Sequence, residues 1–277
     1  RVPITTSRAS APEEPGRTPS RPSLVSRTPW TILASYLSIL VAWIVAAWAL
    51  PSELMPGPIA TFEFVARQIE RGVLWMHLWA TTRRVLIAFA FGMTAGVALG
   101  AAMGLSRTID RALQGWLIAG LTVPRILLFV MSYLIFGLSD TAAIVALMVT
   151  ILPTIMVQVR EGTRAIDRKL VEMAEAYHRP RTTIWRHVVL PQVMPYVVGT
   201  ARSSLSLAWK MVVLAELLGR TTGVGYQISF YFQMFDMVGI LGYGVTMMII
   251  LAMVDLILLG RWQRSAFRWR APAGADA

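Results

Sequence analysis

Apolar residues in this chain come in long runs broken by short polar interruptions, and the run lengths match a bilayer. The first run, 30–50, holds about twenty residues, enough to cross ~30 Å of hydrocarbon as a helix. Further runs cover about 85–105, 112–137, 142–159, 195–218 and 238–260. Six transmembrane helices are therefore predicted. "PSELMPGP" (Pro51 to Pro58) interrupts after the first. Thr61 to Thr82 mixes apolar residues with Glu63, Arg67, Glu70 and Arg71 and predicts an amphipathic helix lying at the interface. "SRTIDR" (Ser106 to Arg111) and "LSD" (Leu138 to Asp140) read as turns, and the stretch from Gly219 to Asp236 as a partly re-entrant loop.

Within the second run, Gly92, Gly96, Gly100 and Gly104 recur every four residues. That spacing puts all four on one helix face nearly free of side chains, where another helix backbone approaches closely. Helix packing is the expectation for them, not ligand binding.

Composition agrees with a membrane class. Of 277 residues, 56% are hydrophobic and 15% charged, against about 25% charged in soluble domains. The net charge of +11 would point to nucleic acid in a soluble chain. Here the cations sort by loop: eighteen of the 26 Lys and Arg fall on the side that holds both ends of the chain, and five on the other. Such a bias places both ends and the 160–192 loop in the cytoplasm, and it accounts for the charge with no nucleic acid as partner. Residues 1–29, rich in Pro, Ser, Thr and Arg, read as a disordered tail and not as a signal peptide, and no small-residue cleavage site is evident after the 30–50 run. Residues 30–260 form the membrane domain and 261–277 a basic tail.

Chemistry is sparse. Cysteine is absent, and His77, His178 and His187 are widely spaced, so no metal site is expected. There is neither a G-x-x-x-x-G-K-[ST] phosphate loop nor a G-x-S-x-G serine. The in-span carboxylates, Glu216 and Asp255, make no tight pair on one helix. No catalytic residue and no cofactor are assigned to this chain.

One segment departs from the oil around it: "VEMAEAYHRPRTTIWRHVVLP" (Val171 to Pro191). Val171 to Tyr177 favours helix, Pro180 stops it or opens the next, and Thr182 or Thr183 would cap a second short helix over Ile184 to Val189. The result is helix, sharp turn, helix, with Ala174, Ala176, Tyr177, Ile184 and Trp185 as an apolar side. That side suits a partner; a loop folded back on its own bundle would also carry it.

Glu172, Ala174, Ile184, Val188, Val189, Leu190 and Pro191 resemble the EAA-type coupling signature of inner-membrane permeases of bacterial ABC importers. "LPQVMPYVVGTARSSLSLAWKMVVLAELLG" (Leu190 to Gly219) and "TTGVGYQI" (Thr221 to Ile228) are similar to the sulfonate, taurine and nitrate importer subfamily, and the likeness extends over about Trp30 to Trp269. The resemblance implies an all-α, polytopic permease that works as a homodimer in the bacterial inner membrane. It implies two ATPase subunits that bind ATP and Mg, and an extracytoplasmic binding protein that delivers the solute. The ATPase-coupling residues would be Glu172, Ala174, Tyr177, His178, Ile184, Trp185, Leu190 and Pro191. Met173 replaces the second residue of the signature, and His178 stands where the family has glycine. Either the turn is kept with some strain or the loop bends differently.

Charges inside spans are costly and usually face a cavity or a partner. Arg202 and Glu216 read as structural. Arg125 and Lys210 read as cations beside the path, suited to a small anion such as a sulfonate, carboxylate or nitrate, with Trp209, Tyr133 and Met131 beside them or simply packed. The same family also carries pyrimidines and other small organic solutes. A secondary transporter would predict inverted repeats and midplane acids, and a membrane enzyme paired catalytic groups; neither pattern is visible.

Overall fold

The computed structural model describes residues 29–254. The tails at 1–28 and 261–277, the end of the sixth expected span and Asp255 lie outside the described residues. All described elements are helices. The chain divides into units 1–45 and 46–277. The first unit contributes most of α1 (Pro29–Ala49), a helix without a single charged residue.

In the second unit α2 (Pro58–Glu70) starts on a proline in its first turn and ends before Gly72, whose φ of +71° turns the chain. α3 (Val73–Leu105) then runs for 33 residues. The interfacial helix expected over Thr61 to Thr82 is thus two pieces, and its second half belongs to α3. Arg83 and Arg84 do not end the helix because both find acidic partners. Ser106 caps α4 (Arg107–Thr122), so the "SRTIDR" turn is the cap and first turn of a helix.

The third expected span is broken. Pro124 has no N–H and pushes the residue before it out of helical geometry; Val123 sits at ψ 128°. α4 and α5 (Arg125–Phe136) meet at 100°. α6 (Asp140–Arg164) is capped by Ser139 and carries Pro153 inside. α7 (Arg168–Ala176) and α8 (Arg181–Ile184) follow. A π-helical turn at Trp185–Val189 joins α8 to α9 (Leu190–Gly219) without a break. The helix that carries the fifth run thus begins at Leu190, ahead of the run itself, and Pro195 lies inside it. Val224–Gln233, expected as loop, forms α10, and α11 (Met237–Met253) starts on an Asp236 cap. Among the described residues α3 and α6 are each long and apolar enough to cross a membrane, and the bent α4–α5 pair makes a third. α1 and α11 contribute shorter apolar stretches.

The core forms where α3, α6 and α9 meet, around Val85, Leu147, Ile151, Ile155, Val159 and Val212. The glycine face of α3 lies on α6. A Cβ at Gly92 would stand 2.8 Å from Ile151 Cδ1, at Gly96 2.6 Å from Ile155 Cγ2, and at Gly104 2.5 Å from Thr163 Cβ. The partners advance together along both helices, so α3 and α6 run in the same direction. At the 104 and 163 end, Asp110 of α4 is held by Arg160 and, at 2.6 Å, by Arg164 of α6.

At Gly100 the obstacle is backbone: an added Cβ would lie 2.7 Å from the Met156 carbonyl oxygen. A helix backbone cannot yield as a side chain can, so Gly100→Ala is expected to destabilise by about 1–3 kcal/mol. Gly115, also helical, has open space around it, and Gly115→Ala should be neutral or slightly stabilising. Thermal unfolding of the two variants in detergent checks the contrast.

Candidate functional site

The polar segment folds into a hairpin. Asp167 caps α7 by accepting from the Lys169 amide at 2.9 Å. At the other end Arg179 N–H donates to Ala174 O at 3.2 Å and His178 N–H to Glu175 O at 2.8 Å. This paired pattern is a Schellman closure, which calls for a left-handed residue at the position of His178. Its φ is +49°. Histidine therefore keeps the turn in the glycine conformation. Pro180 then prevents any continuation of α7. The Gln192 side chain accepts from the Asp167 amide at 2.8 Å and donates to Val188 O at 3.0 Å, tying the start of α7 to the π-turn.

The apolar side expected of the hairpin is divided. Ala174 and Ile184 are buried and close the hairpin on itself, whereas Tyr177, Trp185 and Met173 point outward, Tyr177 at 75% exposure. Leu190 and Glu172 are exposed, His178 is exposed at the tip, and Pro191 is half-buried. Neither threonine caps α8; Pro180 occupies that position. A cleft of about 600 Å³ separates the hairpin from the ends of α3 and α6, lined among others by Leu105, Arg164, Val171, Glu172 and Trp185.

A second cluster lies at the opposite end of the helices. Arg84 is fully buried. It donates to Glu216 Oε1 at 2.6 Å, to Asp140 Oδ1 at 2.9 Å, and to Thr222 O and Oγ1 at 2.7 Å each. Glu216, equally buried, also accepts from Thr81 Oγ1 at 2.9 Å and the Gly225 amide at 2.8 Å. Asp140 further binds Arg83 and Arg220. The 220–225 segment wraps the Glu216 carboxylate so closely that a Cβ at Gly223, where φ is +118°, would overlap it. His77 completes the wrap by accepting from the Gly223 amide at 3.0 Å. The structural reading of Glu216 agrees with this placement. Sequence reasoning missed Arg84 by counting it as a loop cation; its signal was an arginine pair inside an otherwise apolar helix.

The residues read as lining a path occupy two settings. Trp209 and Tyr133 are buried in the core, and the Tyr133 hydroxyl donates to Ala215 O at 2.7 Å. Arg125 and Lys210 are exposed, Arg125 at the first residue after the 100° bend. No hydrogen bond or ion pair joins these two cations among the described residues.

Residues 92–269 match the family described as "Binding-protein-dependent transport system inner membrane component". The chain belongs to this family. It is similar to the SsuC protein of Escherichia coli K12, named as a candidate aliphatic sulfonates transport permease, at 30% identity over 76% of this chain and 79% of that one. The nitrate import permease protein NrtB of Synechococcus elongatus is 25% identical over 86% of this chain and 91% of its own. Among solved structures, a chain of the MetNI methionine ABC transporter in an inward-facing conformation superposes with a TM-score of 0.63 at 21% identity, covering 72% of this chain and 98% of that one. That likeness speaks for the fold alone. The protein is thus the membrane permease subunit of an ABC importer, a multi-pass inner-membrane protein, and the ATPase is a separate chain.

Two outcomes are expected of the permease. Breaking a buried ion pair by removing one partner leaves an uncompensated charge and costs about 3–5 kcal/mol. Arg84→Met and Glu216→Leu should each cause a loss of that order, and the double variant should recover a large part; a double-mutant cycle of unfolding in mixed micelles reads the coupling. At the hairpin tip, a non-glycine residue in the left-handed region costs about 1–2 kcal/mol. His178→Gly should therefore slow hydrogen exchange of the α7 amides severalfold, and His178→Val should accelerate it.

Proposed function

We propose that two copies of this permease form a path for a small anion of the sulfonate or nitrate kind, delivered by an extracytoplasmic binding protein. Each copy is gripped by one of two ATPase subunits that hold ATP and Mg. Both ends of the chain and the 160–192 loop lie in the cytoplasm, in keeping with the cation bias.

The observation that carries this reading is the hairpin. It is closed by a helix-end motif and continuous through the π-turn with α9, the helix that bears Lys210 and Glu216. A partner holding Tyr177, Trp185 and the nearby Glu172 would therefore move α9 as a rod, since a rigid projection transmits motion that a floppy loop would absorb. Ala174 and Ile184 keep the hairpin stiff, His178 sets its tip, and Leu190 and Pro191 form its junction with α9. On the path, Arg125 and Lys210 supply the positive charge, and Trp209 and Tyr133 shape the wall from behind.

The test is co-expression with a candidate ATPase subunit of the same importer. A stable complex is expected from the wild type. Deleting Val171 to Pro180 should abolish the complex, and Glu172→Lys should abolish or strongly reduce ATP-driven uptake. A chain that binds no ATPase and transports alone would overturn the reading.

A further inference from the structure

α9 carries an exposed face that is polar where a lipid-facing helix would be apolar. Gly199, Ser203 and Lys210 are exposed and Ser206 is half-buried, and the steps of three and four residues put them on one stripe. Among the described residues of the membrane segments the carboxylates Asp140 and Glu216 are both paired, and Arg83, Arg84 and Arg220 pair with them. Lys210 has no ion-pair or hydrogen-bond partner among the described residues, and neither does the Ser206 hydroxyl. An unpaired ammonium against lipid or a dry interface is too costly to keep, so this stripe faces water.

Nor does Lys210 reach the nearer membrane surface along its own helix. It lies nine residues, about 14 Å, before the end of α9 at Gly219. Helical side chains lean toward the helix N-terminus and cover the preceding turn. The ammonium thus leans away from the near surface and over Ser206, four residues back. One turn deeper, Gln158 of α6 is fixed by Ser203 and Thr200, accepting from Thr200 Oγ1 at 3.0 Å. One of its two amide N–H groups stays available for the path.

We propose that Lys210 and Ser206 form an oxyanion contact on the translocation path, with Ser203 and Gln158 as the next polar step toward the cytoplasm. The inference rests on the permease reading. The ammonium meets one oxygen of a singly charged sulfonate, carboxylate or nitrate, and the hydroxyl donates to another. Arg125 lies eight residues before Tyr133, and Lys210 five before the Ala215 that Tyr133 binds. Both cations thus lie about 8–12 Å down their own helices from that shared bond, and a solute passing there meets positive charge. Selection is for anions.

The chain has no cysteine, so Ser206→Cys introduces its only thiol. The assembled permease–ATPase complex in detergent is treated with a thiosulfonate bearing a sulfonate group or one bearing a trimethylammonium group. Each rate is normalised to that of a free thiol, with Ser52→Cys in an exposed loop as the accessible control. A change in thiol reactivity itself cancels in the ratio. The anionic reagent is expected to be favoured about tenfold, and Lys210→Gln should erase that preference. Ser203→Cys should show the same sign more weakly, which covers a failure of Ser206→Cys to fold. Equal rates, preference for the cationic reagent, or no labelling at either position while Ser52→Cys reacts would overturn the proposal. ATPase co-purification in the same samples reports on the permease reading separately.

Discussion

Arg84 is fully buried, and much of the architecture follows from that. A guanidinium in a low-dielectric core needs carboxylates and acceptors on several sides. Glu216 arrives from α9, Asp140 from the first residue of α6, and Thr222 from the segment between α9 and α10. Meeting the needs of one side chain therefore fixes the relative height of three helices and closes the 220–225 segment over them. Gly223 and Gly225 follow: a side chain at Gly223 would run into the Glu216 carboxylate, and one at Gly225 into the Val213 carbonyl oxygen of α9.

The opposite end is organised differently. There Asp110 receives Arg160 and Arg164 at a partly solvated surface, where ion pairs are weaker. The hairpin beyond them is continuous with α6 through residues 165–167 and with α9 through the π-turn, and Gln192 bonds to both of its limbs. α7 packs on α8 and the π-turn, and an open cleft lies between the hairpin and the ends of α3 and α6. The Arg84 end is thus tied by fully buried charge, and the hairpin end by partly exposed charge beside a cleft.

Much of this was legible in the sequence because bilayer thickness sets run length. The apolar runs, the glycine face of α3 and the hairpin with its turn near His178 all carry local signals. What was hidden depends on distance or on competing signals. Arg84 and Glu216 are separated by 132 positions, so nothing near either one reveals the other. Pro124 is plain to see, yet apolar residues continue on both sides and mask the bend as one span. The aromatic 226–235 stretch lacks a polar face with helical period, which concealed α10. At His178 the sequence marked the departure from glycine, but only the backbone shows that the left-handed turn survives it. Trp209 and Tyr133 look in sequence like residues able to line a channel; their core positions come from tertiary packing.

The π-turn at Trp185–Val189 carries a consequence for azimuth. A π-turn accommodates one more residue than an α-turn in nearly the same rise, and each helical residue turns the chain by about 100°. The hairpin's bearing around the axis of α9 is therefore set by a single surplus residue. Were that residue lost and the turn rewound as ordinary α-helix, Tyr177 and Trp185 would swing about a quarter-turn around the rod while keeping nearly the same height. The direction in which the hairpin faces is thus encoded by chain length as much as by the chemistry of its tip.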